Sequence, residues 1–147
     1  MTTYYEKVII FLMRMFLFVF FTILANTYNA YAASYQTDIH SCDKQYAEQS
    51  KKSNSTISMI QSLSEHTDCY QKIVFKIIDA QYKQNADKMK QNFSTYIDAA
   101  GEMIDFIDRP DSCYPQCGTI VGINAATARR DAARQYINMI LNNNAGI

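Results

Sequence analysis

A single apolar stripe at helical spacing runs through the middle of this chain, and it restricts the fold more than any other feature. Between residues 70 and 107, apolar side chains recur in steps of three and four. This period is typical of a helix with one buried face, whereas the buried side chains of a half-buried strand alternate. The stripe therefore predicts an all-α fold. Its members are Ile73, Ile77, Ala80, Tyr82, Ala86, Met89, Phe93, Tyr96, Ile97, Ala100, Ile104 and Ile107.

The two ends of this stripe carry signals for the start and the end of a helix. Thr67 or Asp68 can cap the start, and Pro110 disfavours helical geometry in the residue before it. Without a break, the helix would be roughly 60 Å long at about 1.5 Å per residue, which is more than a small domain covers. We therefore expect a bend at residues 84–87 or 92–95, where Asn, Asp, Ser and Thr side chains can cap a new helix.

The rest of the chain also favours helices. Residues 41–50 and 56–63 are short helical candidates, and residues 124–141 have the pattern of a terminal amphipathic helix. Both prolines and two of the four glycines fall in residues 108–122, which we interpret as the irregular segment of the chain. So few turn residues largely exclude a β-sandwich or barrel. We expect a small antiparallel helical domain.

The first 32 residues have the organisation of a secretory signal peptide. Lys7 and Arg14 precede an apolar run at residues 15–25, and small residues follow at the positions that a signal peptidase reads. A retained membrane anchor is the alternative, but it would place Arg14 in the hydrocarbon at a cost of about 2.5 kcal/mol. We therefore predict cleavage after residue 32, a single domain at residues 33–147, a periplasmic or secreted location, and no stable membrane anchor after cleavage.

An even number of cysteines in a small exported chain predicts disulfides. The four are Cys42, Cys69, Cys113 and Cys117. A bend at residues 53–55 would bring Cys42 close to Cys69, which favours the bonds Cys42–Cys69 and Cys113–Cys117. The alternative is a bond from Cys42 or Cys69 to one of the two cysteines in the proline-containing segment. With either pairing, two disulfides would staple the helices together.

Charge and residue types argue against several classes of function. The chain has 14 Lys+Arg and 14 Asp+Glu residues, so it lacks the positive charge of a nucleic-acid-binding protein. His40 and His66 are the only histidines, and we interpret both as solvated residues at helix ends. No second ligand pair accompanies His66 and its neighbour Cys69, and the cysteines at 113 and 117 lack the spacing of a redox motif. We predict no enzyme activity, no metal site and no cofactor.

The end of the predicted long helix is strongly acidic. Its acids, which recur at helical steps and continue just beyond the helix, are Asp98, Glu102, Asp105, Asp108 and Asp111. Such a face can dock a cationic protein, because charge complementarity raises the rate of association. Tyr114 in the following segment is a candidate aromatic anchor. The alternative is that the acids are solvated or pair with arginines of the last helix, namely Arg129, Arg130 and Arg134.

Several short motifs follow one another in a recognisable order. Cys42 precedes Cys69, which leads into a helix with Asp79 ten residues further on, and the long amphipathic stretch comes next. That stretch ends in Asp-Arg-Pro-Asp-Ser-Cys at residues 108–113, and an alanine-rich helix with Thr-Ala-Arg-Arg at residues 127–130 follows. The order resembles that of the LprI-like lysozyme-inhibitor family, whose final signature is Thr, x, x, Arg.

This resemblance implies an exported helical binding protein that blocks lysozyme-type muramidases. The chain departs from the family pattern at Lys83 and Ala86, where the family usually has Asn and Tyr, and its fourth cysteine precedes the Gly-Thr pair instead of following it. An acidic docking face suits such a partner, since lysozymes are cationic. Two other classes stay open: an immunity protein against a cell-wall-degrading toxin, and a periplasmic helical chaperone.

Overall fold

The computed structural model of the chain describes residues 2–107 and 118–143. Every regular element within these ranges is an α-helix, which confirms the predicted all-α class. The predicted short helix at residues 41–50 is the last part of a much longer one, and the predicted irregular segment is wrong from residue 118 onward, where the last helix begins. The helices are α1 (Thr2–Ser50), α2 (Thr56–Gln81), α3 (Ala86–Ile107) and α4 (Gly118–Asn143).

The chain divides into two compact units, Met1–Thr37 and Asp38–Ile147. Residues 32 and 33, on either side of the predicted cleavage site, both lie within helix α1. None of the helices, over the residues that are described, contains a segment both long enough and apolar enough to cross a membrane.

Helix α2 begins earlier than the apolar stripe predicts. Ser55 is its N-cap: the Ser55 hydroxyl accepts a hydrogen bond from the N–H of Ser58 at 3.2 Å, and the Ser58 hydroxyl accepts one from the N–H of Ser55 at 3.1 Å. This reciprocal arrangement satisfies donors that a helix start leaves unpaired. The predicted start at Thr67 or Asp68 is therefore wrong, and the predicted short helix at residues 56–63 is the first part of α2.

The apolar stripe is divided between α2 and α3. The N–H of Tyr82 donates to the carbonyl of Ile78 at 2.8 Å and closes α2, and residues 83–85 form a turn. The carbonyl of Asn85 then accepts a hydrogen bond from the N–H of Met89 at 2.9 Å, where α3 starts. The break therefore falls at the first of the two positions expected from the sequence.

Within Asp38–Ile147, consecutive helices run antiparallel. In each neighbouring pair of helices, a contact later in the first helix is made to a residue earlier in the second. Helix α4 packs against both α2 and α3. The pairs that define these directions are Gln49 with Glu65 and Asp38 with Lys76 (α1 and α2), Phe75 with Phe93 and Asp79 with Lys90 (α2 and α3), and Phe93 with Tyr136 and Gly101 with Arg129 (α3 and α4).

Phe93 of α3 lies at the centre of the core. Its ring centroid is 6.0 Å from that of Phe75 in α2 and 5.0 Å from that of Tyr136 in α4. Both pairs have the edge-to-face arrangement that aromatic rings prefer. This ring therefore contacts both α2 and α4, and buried aliphatic side chains form the rest of the core along the three helices. The buried aliphatic residues of α2, α3 and α4 include Leu63, Ile73, Val74, Ile77, Ile78, Ile97, Val121, Ala133, Ile137 and Ile140.

A disulfide links the end of α1 to the middle of α2. Cys42 is bonded to Cys69, with the two Cα atoms 5.9 Å apart, which confirms the first predicted bond. The predicted bond between Cys113 and Cys117 lies outside the described residues. The Cys42–Cys69 bond fixes the register of α1 against α2, because it holds one residue of each helix side by side.

Candidate functional site

Three of the acids that the sequence assigns to the binding face lie along α3. Asp98 and Glu102 are exposed, and Asp105 is half-buried. They are four and three residues apart, which is the spacing that puts side chains on one side of a helix. The other residues predicted for this face, Asp108, Asp111 and Tyr114, lie outside the described residues.

Large apolar side chains are exposed on the same part of α3 as these acids. Met103 is 60% exposed, Phe106 is 87% exposed and Ile107 is 62% exposed. Exposed large apolar groups that cluster beside polar ones are typical of interaction surfaces. We call the set of Asp98, Glu102, Met103, Asp105, Phe106 and Ile107 the α3 end.

Two of the three arginines considered as internal partners have other contacts. Arg130 donates two hydrogen bonds to Oδ1 of Asp131, from Nε at 2.9 Å and from Nη2 at 2.7 Å. Its guanidinium also lies 5.6 Å from the ring centroid of Tyr46. Arg134 is bonded to Asp43 of α1. Both arginines therefore find their acid partners away from the α3 end.

A polar cluster joins α1, α2 and α4 around the carboxylate of Asp43. The hydroxyl of Tyr70 donates a hydrogen bond to Oδ1, and Nη1 of Arg134 donates to Oδ1 and Oδ2 at 3.1 and 2.9 Å. The same Nη1 donates to the Tyr70 hydroxyl at 2.8 Å. Nε2 of His66 lies 3.2 Å from Oδ1. We call these four residues the Asp43 cluster.

His66 is buried in the middle of α2, and its side chain is only 5% exposed. Its ring stacks on Tyr46 with centroids 4.6 Å apart and packs at 4.3 Å against Tyr70. Because the carboxylate of Asp43 can only accept, we assign the hydrogen to Nε2, which leaves Nδ1 as an acceptor. This Nδ1 is buried, and no described residue donates to it. The interpretation of His66 as a solvated helix-end residue is wrong, whereas His40 is exposed but lies within α1.

The environment sets the charges of the Asp43 cluster. Partial burial would raise the pKa of Asp43, but hydrogen bonds from Tyr70 and Arg134 outweigh it and hold that pKa below its ordinary value. Burial lowers the pKa of His66, and the nearby carboxylate opposes this only in part. Burial and the bond to Asp43 raise the pKa of Tyr70 to about 12. At neutral pH, one carboxylate therefore faces one guanidinium, with a neutral imidazole and a neutral phenol beside them.

Reasoning from the sequence missed this cluster, although two signals were present. His66 lies four residues before Tyr70, a spacing that puts both side chains on the same helix face as the apolar stripe. Asp43 directly follows Cys42, so the predicted disulfide already brings it close to that face. Arg134 has no comparable signal. It lies close to Arg129 and Arg130 in the sequence, and a group of arginines in a helix predicts a solvent-exposed face.

A cavity of about 220 Å³ lies between α2, α3 and α4. Arg129 reaches this cavity by crossing Gly101 of α3, where an added Cβ would overlap its guanidinium. The polar lining consists of Ser64, Thr67, Asp68 and Gln71 of α2, Asp98 of α3 and Arg129 of α4. Among the residues described, no group of three or more His, Cys, Asp or Glu side chains could hold a metal ion.

Comparison with known proteins identifies no relative of this chain. No protein-family model matches the chain, and no curated protein or solved structure matches it either. The resemblance to the LprI-like family therefore stays a prediction, which rests on the motifs quoted from the sequence.

Proposed function

We propose that the protein is an exported binding protein that docks its α3 end on a cationic cell-wall hydrolase of the lysozyme type and blocks it. The observation that carries this proposal is the combination, on one helix end, of exposed carboxylates at Asp98 and Glu102 with the 87% exposed ring of Phe106. Charged groups around an apolar centre are the usual composition of a protein–protein interface.

The two kinds of side chain have different parts in the proposed binding. Exposed carboxylates attract a cationic surface over about 10 Å at moderate salt and raise the rate of association more than the affinity. Phe106 supplies affinity, because a large aromatic ring that becomes buried in a partner's pocket gains free energy from the water it sheds. Met103 and Ile107 extend the apolar area around it.

Export forms part of the proposal. The predicted signal peptide at residues 1–32 and the disulfide between Cys42 and Cys69 both suit an oxidising compartment outside the cytoplasm. The cell-wall polymer and the hydrolases that cut it are also located outside the cytoplasm. We expect the intact mass of the exported protein to correspond to a chain that starts at Ala33, and a species that retains Met1 would contradict this part.

The proposal is tested by adding the purified exported protein to a turbidity assay of bacterial wall lysis by a cationic muramidase. We expect the wild type to slow lysis in a dose-dependent manner. The double change Glu102→Lys with Phe106→Ala should weaken inhibition by about tenfold or more, since loss of an interface anchor alone commonly costs that much. Neither residue is buried, so the variant should fold as the wild type does.

A matched control makes the same kinds of change elsewhere. Glu48→Lys with Ile57→Ala also reverses one exposed acid and removes one exposed apolar side chain, but on α1 and α2. This control should inhibit as well as the wild type. A wild type that leaves lysis unchanged at high excess would remove the proposal, and equal loss in both double variants would remove the assignment to the α3 end.

A further inference from the structure

The cavity between α2, α3 and α4 is lined by charges of both signs that lack partners. Asp68, Asp98 and Arg129 all reach it, yet within the described part of the chain none of the three takes part in a hydrogen bond or an ion pair. Asp68 and Asp98 are exposed and Arg129 is half-buried, so their charged groups have only water as a partner and can receive a charged ligand at this cavity.

The fold makes specific room for one of these charges. Gly101 is buried, and the guanidinium of Arg129 lies where a Cβ at that position would be. A glycine in the middle of a helix costs about 1 kcal/mol relative to alanine. Gly101 therefore lowers the stability of α3 but leaves room for the guanidinium of Arg129 at the wall of the cavity.

The charges of the lining define the class of ligand. The guanidinium of Arg129 is a planar fork that fits a carboxylate, whereas the carboxylates of Asp68 and Asp98 fit ammonium groups. One positive and two negative side chains are matched by a molecule with one carboxylate and two ammonium groups. The cavity is about 220 Å³, below the usual size of drug-binding pockets, which limits the ligand to the size of a single amino acid.

We propose that this cavity binds a free dibasic amino acid, whose carboxylate lies on Arg129 and whose two ammonium groups lie on Asp68 and Asp98. Ser64 and Gln71 add neutral hydrogen-bonding groups at the same wall. This activity goes beyond the proposed inhibition of a hydrolase, with which it shares Asp98. It does not depend on that inhibition, because Arg129 and Asp68 lie outside the α3 end, and Glu102 and Phe106 do not line the cavity.

L-Lysine is the probe, and isothermal titration calorimetry on the exported protein is the measurement. Three analogues each lack one charged group: norleucine lacks the side-chain ammonium, cadaverine lacks the carboxylate, and 6-aminohexanoate lacks the α-ammonium. We expect L-lysine to bind at one site and each analogue to bind at least about tenfold more weakly, since each loses a charge-assisted hydrogen bond. Cadaverine that binds as tightly as L-lysine, or L-lysine that gives no binding at millimolar concentration, would overturn the proposal.

Variants of the lining provide the second arm. Arg129→Gln and Asp68→Asn should each weaken L-lysine binding by about tenfold or more. Arg130→Gln is the matched control, because the neighbouring guanidinium is bonded to Asp131 and does not line the cavity. The control should bind as the wild type does, and an equal loss in the control would contradict the assignment.

Gly101→Ala separates binding from folding. The new methyl group displaces the end of a flexible side chain, so α3 and α4 can keep their packing while Arg129 leaves the cavity wall. We expect a Tm equal to or above that of the wild type, because alanine favours the helix, together with a loss of L-lysine binding by about tenfold or more. Wild-type affinity in this variant would overturn the part assigned to Arg129. Inhibition of the hydrolase should stay at the wild-type level, because Arg129 is not part of the α3 end.

Discussion

At the scale of single residues, Asp43 bonds to side chains of two other helices. It accepts from Tyr70 and Arg134 and lies beside His66, so one carboxylate links α1 to both α2 and α4. A carboxylate that is partly out of water depends on such partners, because the loss of one leaves its charge poorly compensated. The charge state of His66 follows from the same packing, since its ring is enclosed by Tyr46 and Tyr70.

We predict that His66 makes the fold less stable in mild acid. Burial holds the pKa of its folded form below the ordinary value near 6.5, so the unfolded chain takes up a proton before the folded chain does. The stability contributed by neutral His66 is therefore complete above about pH 6.5 and is lost as the pH falls toward the folded pKa, with a slope of at most about 1.4 kcal/mol per pH unit. Urea unfolding of the exported protein at pH 7.5, 6.5, 5.5 and 4.5 measures it.

The two histidines provide a matched pair for this measurement. His66→Phe keeps an aromatic ring between the two tyrosines and removes the titrating group, so its stability should change less between pH 6.5 and 4.5. His40→Gln removes an exposed histidine, and it should keep the pH dependence of the wild type. If His66→Phe also kept that dependence, another group would be responsible.

Single residues were also the hardest to predict. The sequence shows that Cys42 can reach Cys69 and that Tyr70 belongs to a buried face, and both follow from local spacing. The Asp43 cluster could not be predicted from spacing, because it depends on a guanidinium 91 positions along the chain. The charge at the α3 end follows from the sequence alone, whereas the exposure of Phe106 depends on how α4 packs against α3.

At the scale of elements, the number of helices was harder to predict than their type. The apolar steps from residue 70 to residue 107 predict helix on both sides of a bend, and the structure confirms helix except at residues 82–85. Residues 56–66 are rich in serine, a weak helix former, so propensity alone places no long helix there. The cap at Ser55 and the burial of Leu63 outweigh that weakness and extend α2 toward the amino end.

We predict that the start of α2 depends on the hydroxyl of Ser55. Ser55→Ala should lower the free energy of unfolding by about 1 kcal/mol, because the N–H of Ser58 loses its acceptor. Ser55→Asp keeps an acceptor at the cap and should restore most of the loss. The midpoint of urea unfolding is the readout, and Thr95→Ala, an exposed change within α3, is the control that should show no loss. Equal stability of all four proteins would mean that the cap contributes nothing.

At the scale of the whole molecule, the disulfide between Cys42 and Cys69 joins two helices that otherwise meet through side chains. The disulfide closes a loop of 27 residues between Cys42 and Cys69. Such a loop restricts the unfolded chain far more than the folded one, since the two helices already lie side by side when folded. The bond therefore stabilises the fold chiefly by removing freedom from the unfolded state.

We predict that removal of this bond is the most costly of the changes considered. The double change Cys42→Ser with Cys69→Ser should lower the free energy of unfolding by about 3.5 kcal/mol, the loop-closure value for a segment of this length. Urea unfolding of the wild type and of the double variant measures the difference. Peptide mapping without reductant should recover Cys42 joined to Cys69, and a peptide with Cys69 bonded to Cys113 or Cys117 would contradict the pairing.

The Asp43 cluster also has a consequence for the order of events as the chain is exported. If the amino end crosses the membrane first, Cys42 and Cys69 both reach the oxidising compartment before Arg134 does. The cross-link between α1 and α2 can thus close while the neighbouring carboxylate of Asp43 still has water in place of a guanidinium. Arrival of α4 replaces that water and completes the cluster. A chain cut short before Arg134 would therefore be covalently fastened at one point, yet would lack the ionic contact between its first helix and its last.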